Sequence, residues 1–182
     1  MATTMTQPQM HTTGQTLPVN VTVELHDDNP LKYDIVSGSK ELPVETIKYK
    51  GKDEFKLNFN NNQNGSSYNG FEITFTFVDQ TGKGYGFFFS DPKKPNADEA
   101  FWVKSVDSTG SCPTMQSSLP HIQARSVTRN TLVVVNPNGH LEYFGFALAL
   151  SRASETAPSI LIDPIGDNQD SQIRINLGGI PG

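Results

Sequence analysis

The sequence of 182 residues has a single cysteine, Cys112, and no apolar stretch long enough to cross a membrane. One cysteine excludes an intramolecular disulfide, and a free thiol is typical of a reducing compartment. The longest apolar run, residues 143–150, is interrupted by Gly145 and is far shorter than the roughly 18 to 20 residues of a spanning helix. The first 16 residues lack the basic and apolar regions of a secretory signal. We therefore expect a soluble cytoplasmic protein that does not insert into membranes.

Charged residues are also scarce, at 18% of the chain, and acidic residues outnumber basic ones to give a formal net charge of −5. Binding to a phosphate backbone requires clustered Lys and Arg. The densest basic stretch, residues 48–56, also contains Asp53 and Glu54, which is typical of a solvated hairpin face. We expect no nucleic-acid partner.

Motifs of common catalytic sites are missing as well. The sequence contains no G-x-S-x-G elbow and no H-x-H or H-E-x-x-H spacing, and Gly82 and Gly84 lie between two predicted strands rather than before a helix. Cys112 would need a partner that lowers the pKa of its thiol. An enzyme would require His121 or His140 to meet a carboxylate in a pocket. We expect a protein without catalytic activity.

The sequence is rich in Asn, Ser, Thr, Gly and Pro, which favour turns and β-structure over helices. Two segments alternate strictly between apolar and polar residues, the pattern of half-buried strands. Their apolar residues are Val19, Val21, Val23 and Leu25 in the first, and Phe71, Ile73, Phe75 and Phe77 in the second. Short strands are predicted at 19–25, 31–36, 44–50, 54–60, 71–78, 85–89, 101–106, 122–128, 131–136, 141–151, 159–163 and 172–177.

Turn signals at residues 50–53, 81–84 and 136–139 join neighbouring strands as hairpins, and residues 27–30 end the first strand as a turn. This pattern predicts an all-β fold, an antiparallel β-sandwich of the immunoglobulin-like kind, with a barrel as the alternative. Residues 17–182 form its single domain. Residues 1–16 have neither charge nor a buried-face pattern, and we predict a disordered tail there.

Two predicted loops contain candidate ligand-binding residues. The loop 163–170 combines Asp163, Asp167, Asn168 and Asp170, whose oxygens are ligands that calcium prefers, although their spacing is not that of an EF-hand. An ordinary solvated acidic loop is the alternative. The polar loop 60–70 carries Tyr68, an aromatic ring on which a sugar could stack. Tyr85 and Trp102 are further aromatic candidates, and core packing is the other explanation for Trp102.

The C-terminal third contains FGFALAL at 144–150 and ILIDP at 160–164, followed by Asn168. This arrangement resembles the DP-EP family of bacterial β-rich proteins, whose function is unassigned, although no Glu-Pro follows Asp163-Pro164. The resemblance implies a fold and no activity. The acidic loop followed by an apolar segment and a final Gly182 is also similar to the end of calcium-dependent bacterial lectins that bind fucose or mannose. In those lectins the C-terminal carboxylate is a calcium ligand.

We therefore predict a non-catalytic β-sandwich that binds a protein partner or self-associates through exposed strand edges. The alternative is a calcium-dependent carbohydrate-binding module that uses the acidic loop and Tyr68, with a glycan as its ligand. Apart from this calcium ion, we expect no cofactor.

Overall fold

The computed structural model describes residues 16–49, 52–60, 70–106, 112–137 and 142–169. These residues form twelve strands and one short helix. The elements are β1 Thr16–Asp28, β2 Leu31–Ser37, β3 Val44–Tyr49, β4 Lys52–Asn60, β5 Gly70–Asp79, β6 Tyr85–Phe87, α1 Ala97–Ala100, β7 Phe101–Val106, β8 Gln123–Val127, β9 Thr131–Asn136, β10 Glu142–Arg152, β11 Ile160–Ile162 and β12 Ile165–Gln169. Of the predicted tail 1–16, Thr16 is the first residue of β1, and the other residues lie outside the described ranges, as does the predicted strand 172–177.

The strands form two sheets. Sheet A has five strands in the order β2-β1-β5-β9-β8. Sheet B has seven strands. β10 pairs with β12 and β11 along one edge and with β7 and β6 along the other, and β12 continues the sheet to β4 and β3. The all-β sandwich predicted from the sequence is confirmed, whereas its immunoglobulin-like character stays a prediction.

The core lies between the two sheets. The alternating residues of β1 and β5 all face it, with exposures between 0% and 4%, as the period-two pattern predicts. Phenylalanines from the two sheets meet across the core. These ring pairs are Phe71 with Phe59 at 5.3 Å, Phe75 with Phe146 at 5.9 Å, and Phe77 with Phe87 at 5.8 Å. Burying each such side chain contributes about 1.5 to 3 kcal/mol, so this layer is the main source of stability.

Most strand pairs are antiparallel, but one pair in each sheet is parallel. β1 runs parallel to β5 in sheet A, and β12 runs parallel to β4 in sheet B. Parallel neighbours cannot be joined by a short hairpin, so each of these pairs joins segments that are distant in the sequence. The alternation in the sequence does not reveal such pairs.

β10 is the central strand of sheet B. One of its edges pairs with β7 and β6, and the other pairs with β12 and β11. Residues 144–151 are all buried, because both faces of the strand are covered. A second, smaller apolar cluster lies on the face away from sheet A, where Trp102 and Phe88 cover Ala147 and Ala149.

Two predicted hairpins are wrong. β5 and β6 belong to different sheets, because both edges of β5 are already occupied, by β1 and β9. β9 and β10 are also separated, because β9 pairs with β5 and β8 and leaves no edge for β10. The strands of each pair therefore belong to different sheets. The predicted hairpin β3–β4 is confirmed, and the predicted turn at 27–30 joins β1 to β2, which pair antiparallel.

The segment between the predicted strands 85–89 and 101–106 contains the short helix α1, which was not predicted from the sequence. Asn96 caps this helix by accepting a hydrogen bond from the backbone N–H of Asp98 at 3.1 Å. The predicted loop 163–170 is also corrected, because residues 165–169 form β12 between β10 and β4. Gly166 allows this strand to pack there, since a β-carbon at this position would overlap the ring of Phe144.

Candidate functional site

The candidate site is β2, the edge strand of sheet A. It pairs with β1 on one side, and within the described ranges no strand pairs with its other side. Leu31 and Val36 are 40% and 57% exposed, and Lys32 and Asp34 between them are exposed as well. An edge strand offers unpaired backbone N–H and C=O groups to which another strand can add. We call residues 31–37 with this unpaired side the β2 edge.

The β2 edge is fixed to the opposite sheet through Tyr33. The ring of Tyr33 packs on Phe55 at 5.5 Å between centroids, and its hydroxyl donates to Oδ1 of Asp163 at 3.2 Å. Burial, together with the charge of Asp163, raises the pKa of Tyr33, so the hydroxyl stays protonated and remains a donor. The β2 edge is therefore held in place by contacts within the chain.

A histidine of β1 is bound to the β2 edge on its other face. His26 lies at an irregularity of β1 between Leu25 and Asp27, with Nε2 2.8 Å from Oδ2 of Asp34 and Nδ1 3.1 Å from Oε1 of Gln80. The hydrogen bond with Asp34 raises the pKa of His26, and the one with Gln80 adds to the effect. The positions of His26 and Asp34 on either side of the predicted 27–30 turn could have revealed this contact from the sequence.

An open groove of about 430 Å³ lies at the end of the β2 edge, lined by residues 35–40 with Pro43 and Val44. Its loop is ordered by hydroxyl groups. Ser37 and Ser39 exchange hydrogen bonds of 3.0 and 3.1 Å, and the hydroxyl of Ser39 donates to Glu41 at 2.6 Å. The exposed side chain of Val36 therefore lies beside a groove whose loop is held in place by hydrogen bonds.

Asp163, the first predicted calcium ligand, lies between β11 and β12. Its carboxylate accepts the Tyr33 hydroxyl, and its backbone carbonyl oxygen lies 3.0 Å from Sγ of Cys112. Burial, together with the nearby carboxylates of Asp163 and Glu54, raises the pKa of the Cys112 thiol to about 12. The thiol is therefore not ionised at neutral pH, which is unsuited to nucleophilic chemistry.

The other predicted calcium ligands are only partly described. Asp167 and Asn168 are on β12, paired through their backbones with β4 and β10, and Asp170 lies outside the described residues. In the described part of the chain, no group of three or more His, Cys, Asp or Glu side chains could hold a metal ion. Calcium binding stays a prediction.

Asp28, the last residue of β1, is bound to residues near the start of β6. The carboxylate of Asp28 accepts hydrogen bonds from Nζ of Lys83 at 2.6 Å and from the hydroxyl of Tyr85 at 2.8 Å. These two bonds lower the pKa of Asp28, with Lys83 as the larger cause.

Of the predicted aromatic contacts with a sugar, Tyr68 lies outside the described residues, so its role stays a prediction. Trp102 is 9% exposed and its indole N–H donates to the carbonyl oxygen of Glu99 at 3.0 Å. Core packing is therefore the correct interpretation of Trp102. His140 also lies outside the described residues.

The residues of the β2 edge were not singled out in the sequence, although a signal was present. Val36 is apolar yet shares a strand face with Lys32 and Asp34, which breaks the alternation expected for a half-buried strand. No helix in the described ranges is both long and apolar enough to span a membrane.

Comparisons with known proteins give no family. No family model and no curated protein matches the chain. Among solved structures, the crystal structure of the inclusion body protein PixA from Burkholderia cenocepacia aligns with 87% of this chain and 99% of its own, at 10% sequence identity and a TM-score of 0.39. A likeness at this level assigns neither a family nor a function, and the DP-EP resemblance stays a prediction.

Proposed function

We propose that this protein is a non-catalytic β-sandwich that associates with protein, including further copies of itself, through its exposed sheet edge. The observation that carries this proposal is the β2 edge. It combines an unpaired side, within the described ranges, with the exposed apolar side chains of Leu31 and Val36. Strand addition at such an edge derives its affinity from main-chain hydrogen bonds and its specificity from alternate side chains.

The chemistry of the described residues supports a binding role over a catalytic one. The thiol of Cys112 is partly buried and stays protonated at neutral pH, and His26, which contacts the carboxylate of Asp34, lies on the outer surface of the sandwich. Asp163 is occupied in holding β2 to sheet B. These groups stabilise the fold and its edge.

Sedimentation velocity of the whole chain over a range of roughly 1 to 100 µM tests the self-association. We expect the weight-average mass to rise with concentration from the 20.0 kDa of one chain towards twice that value. A mass that stays at one chain over the whole range would show that the protein does not self-associate.

A further inference from the structure

The exposed residues of the β2 edge alternate in a way that makes the strand complementary to itself. Lys32 and Asp34 are two residues apart on one strand, so they share a face, and both are exposed. When two copies of one strand pair antiparallel about a two-fold axis, paired residues must share a face. The axis therefore passes between the two copies of one and the same residue. With the axis at Tyr33, Lys32 of each copy lies opposite Asp34 of the other.

The neighbouring registers lack this complementarity. An axis at Lys32 would place two ammonium groups opposite each other, and an axis at Asp34 would place two carboxylates there. Opposite charges at paired positions are stabilising and like charges are destabilising, so the charges select the register centred on Tyr33. A slip by one residue is excluded separately, because it would pair side chains that lie on opposite faces.

The same register covers the apolar surface of the β2 edge. On the face that carries Tyr33, Leu31 of one copy lies opposite Ile35 of the other. On the opposite face, Val36 lies opposite Pro30 at the start of the partner's strand. These contacts bring an apolar neighbour to both exposed apolar residues of the strand.

The other edges that the structure describes are less suited to pairing of two copies. Glu45 and Lys48 of β3 are three residues apart and therefore lie on opposite faces. β8 has a register shift between Ala124 and Ser126, and such irregularities protect an edge from pairing. β6 and β11 are each three residues long, and the outer side of β7 is partly covered, because the backbone N–H of Val103 donates to the carbonyl oxygen of Ser117 at 3.1 Å.

We infer that two copies of this chain pair antiparallel along their β2 edges, centred on Tyr33, to form a two-fold dimer with one continuous ten-stranded sheet. This inference rests on the proposed function and names its partner, its strand and its register. The contact between His26 and Asp34 is compatible with it, because a carboxylate can accept hydrogen bonds at both oxygens.

Charge reversal tests the register. The dimer dissociation constant is measured by sedimentation for the wild type, K32E, D34K and the double variant K32E/D34K, with circular dichroism to establish that each one is folded. Each single reversal creates like-charge pairs twice in the dimer, and we expect it to raise the dissociation constant about tenfold or more. The double variant exchanges the charges without losing complementarity, and we expect it to return to within about threefold of the wild type.

K93E is the matched control, because it makes the same charge change in the exposed loop before α1, and we expect it to leave the dissociation constant unchanged. A wild-type dimer that the single reversals do not weaken would overturn pairing at β2 and leave self-association standing. Single reversals that weaken the dimer without rescue by the double variant would overturn the register. A wild type that stays monomeric would overturn the inference together with the self-association on which it rests.

Discussion

At the scale of single residues, the close packing of Gly166 against Phe144 can be tested by substitution. A β-carbon at this position would lie 2.5 Å from Cε1 of Phe144 and closer still to Cζ and Cε2. The ring cannot easily retreat, because it also packs on Phe59 and Phe146 at 5.6 and 6.0 Å. We expect G166A to lower the free energy of unfolding by about 1 to 3 kcal/mol, measured by urea denaturation.

G38A is the matched control for this substitution. A β-carbon at Gly38 would meet the carbonyl oxygen of Asn20 at 3.5 Å, an ordinary contact. We expect this variant to stay within about 0.5 kcal/mol of the wild type. Equal stability of G166A and G38A would contradict the tight packing of β12 on β10.

The titration of His26 is a second prediction at this scale. We expect an NMR titration to place the pKa of His26 above 6.5, because the hydrogen bond with Asp34 favours the imidazolium. A pKa that is raised in the folded state adds stability below the unfolded pKa, and this stability is lost as the pH rises through the folded pKa. Stability should therefore decrease as the pH rises from about 6 towards 8.

The variant D34N should lower the pKa of His26, since it removes the carboxylate that accepts from Nε2. E24Q serves as the control, because its carboxylate is 3.9 Å from the same nitrogen and makes a weaker contact. If the pKa of His26 is the same in D34N as in the wild type, the contact between His26 and Asp34 is not the cause of the raised pKa.

At the scale of elements, Arg129 joins the two sheets. It follows β8 in sheet A, and its guanidinium donates to the carbonyl oxygens of Phe87 at 3.0 Å and Gly84 at 3.2 Å, and also to the carbonyl oxygen of Ser151. Desolvation lowers the pKa of Arg129 without neutralising it. A lysine cannot reach all of these acceptors at once.

We therefore expect R129K to lower the free energy of unfolding by about 2 to 3 kcal/mol in denaturant titration. R125K is the matched control, because Arg125 is 57% exposed and lies 3.8 Å from Glu72. It should cost less than about 0.5 kcal/mol. A similar small effect for both variants would mean that the bonds between the sheets at Arg129 contribute little.

The comparison between sequence and structure is also clearest at the scale of elements. Alternation identified the strands and their buried faces, as Val21 and Phe75 illustrate, because burial on one face leaves a period of two. It could not identify which sheet a strand joins. β6 and β10 were wrongly paired with their chain neighbours, since pairing depends on which edges are already occupied.

The candidate site was harder to predict than the strands. The acidic composition of residues 163–170 led to the prediction of a loop. Residues 165–169 form β12 because β4 and β10 pair with them, and local propensity does not account for such pairing. The β2 edge depends on the absence of a neighbour on one side among the described strands, and a sequence read locally carries no information on that.

At the scale of the whole molecule, protection should be highest in the middle of sheet B. Residues 144–150 are buried, and β10 is paired along both edges. In native-state hydrogen exchange we expect the amides of β10 to exchange only through global unfolding, and those of the short edge strand β11 to exchange through local opening. The β10 rates should then respond to low urea concentrations as strongly as global unfolding does. Exchange of β10 as fast as that of β11 would contradict its central role.

The position of β10 in the chain has a consequence for biosynthesis. Sheet A is complete once β9 has been made, whereas β3, β4, β6 and β7 are all synthesised before β10, which pairs with β6 and β7, and before β12, which joins β4 to β10. Ribosomes add roughly 5 to 20 residues per second, so the earlier strands wait for several seconds with their apolar faces uncovered. Sheet A can thus form during translation and protect half of the core, while sheet B is completed only after residue 169 has emerged. Stop codons before β10 should therefore yield chains that chaperones or proteases remove.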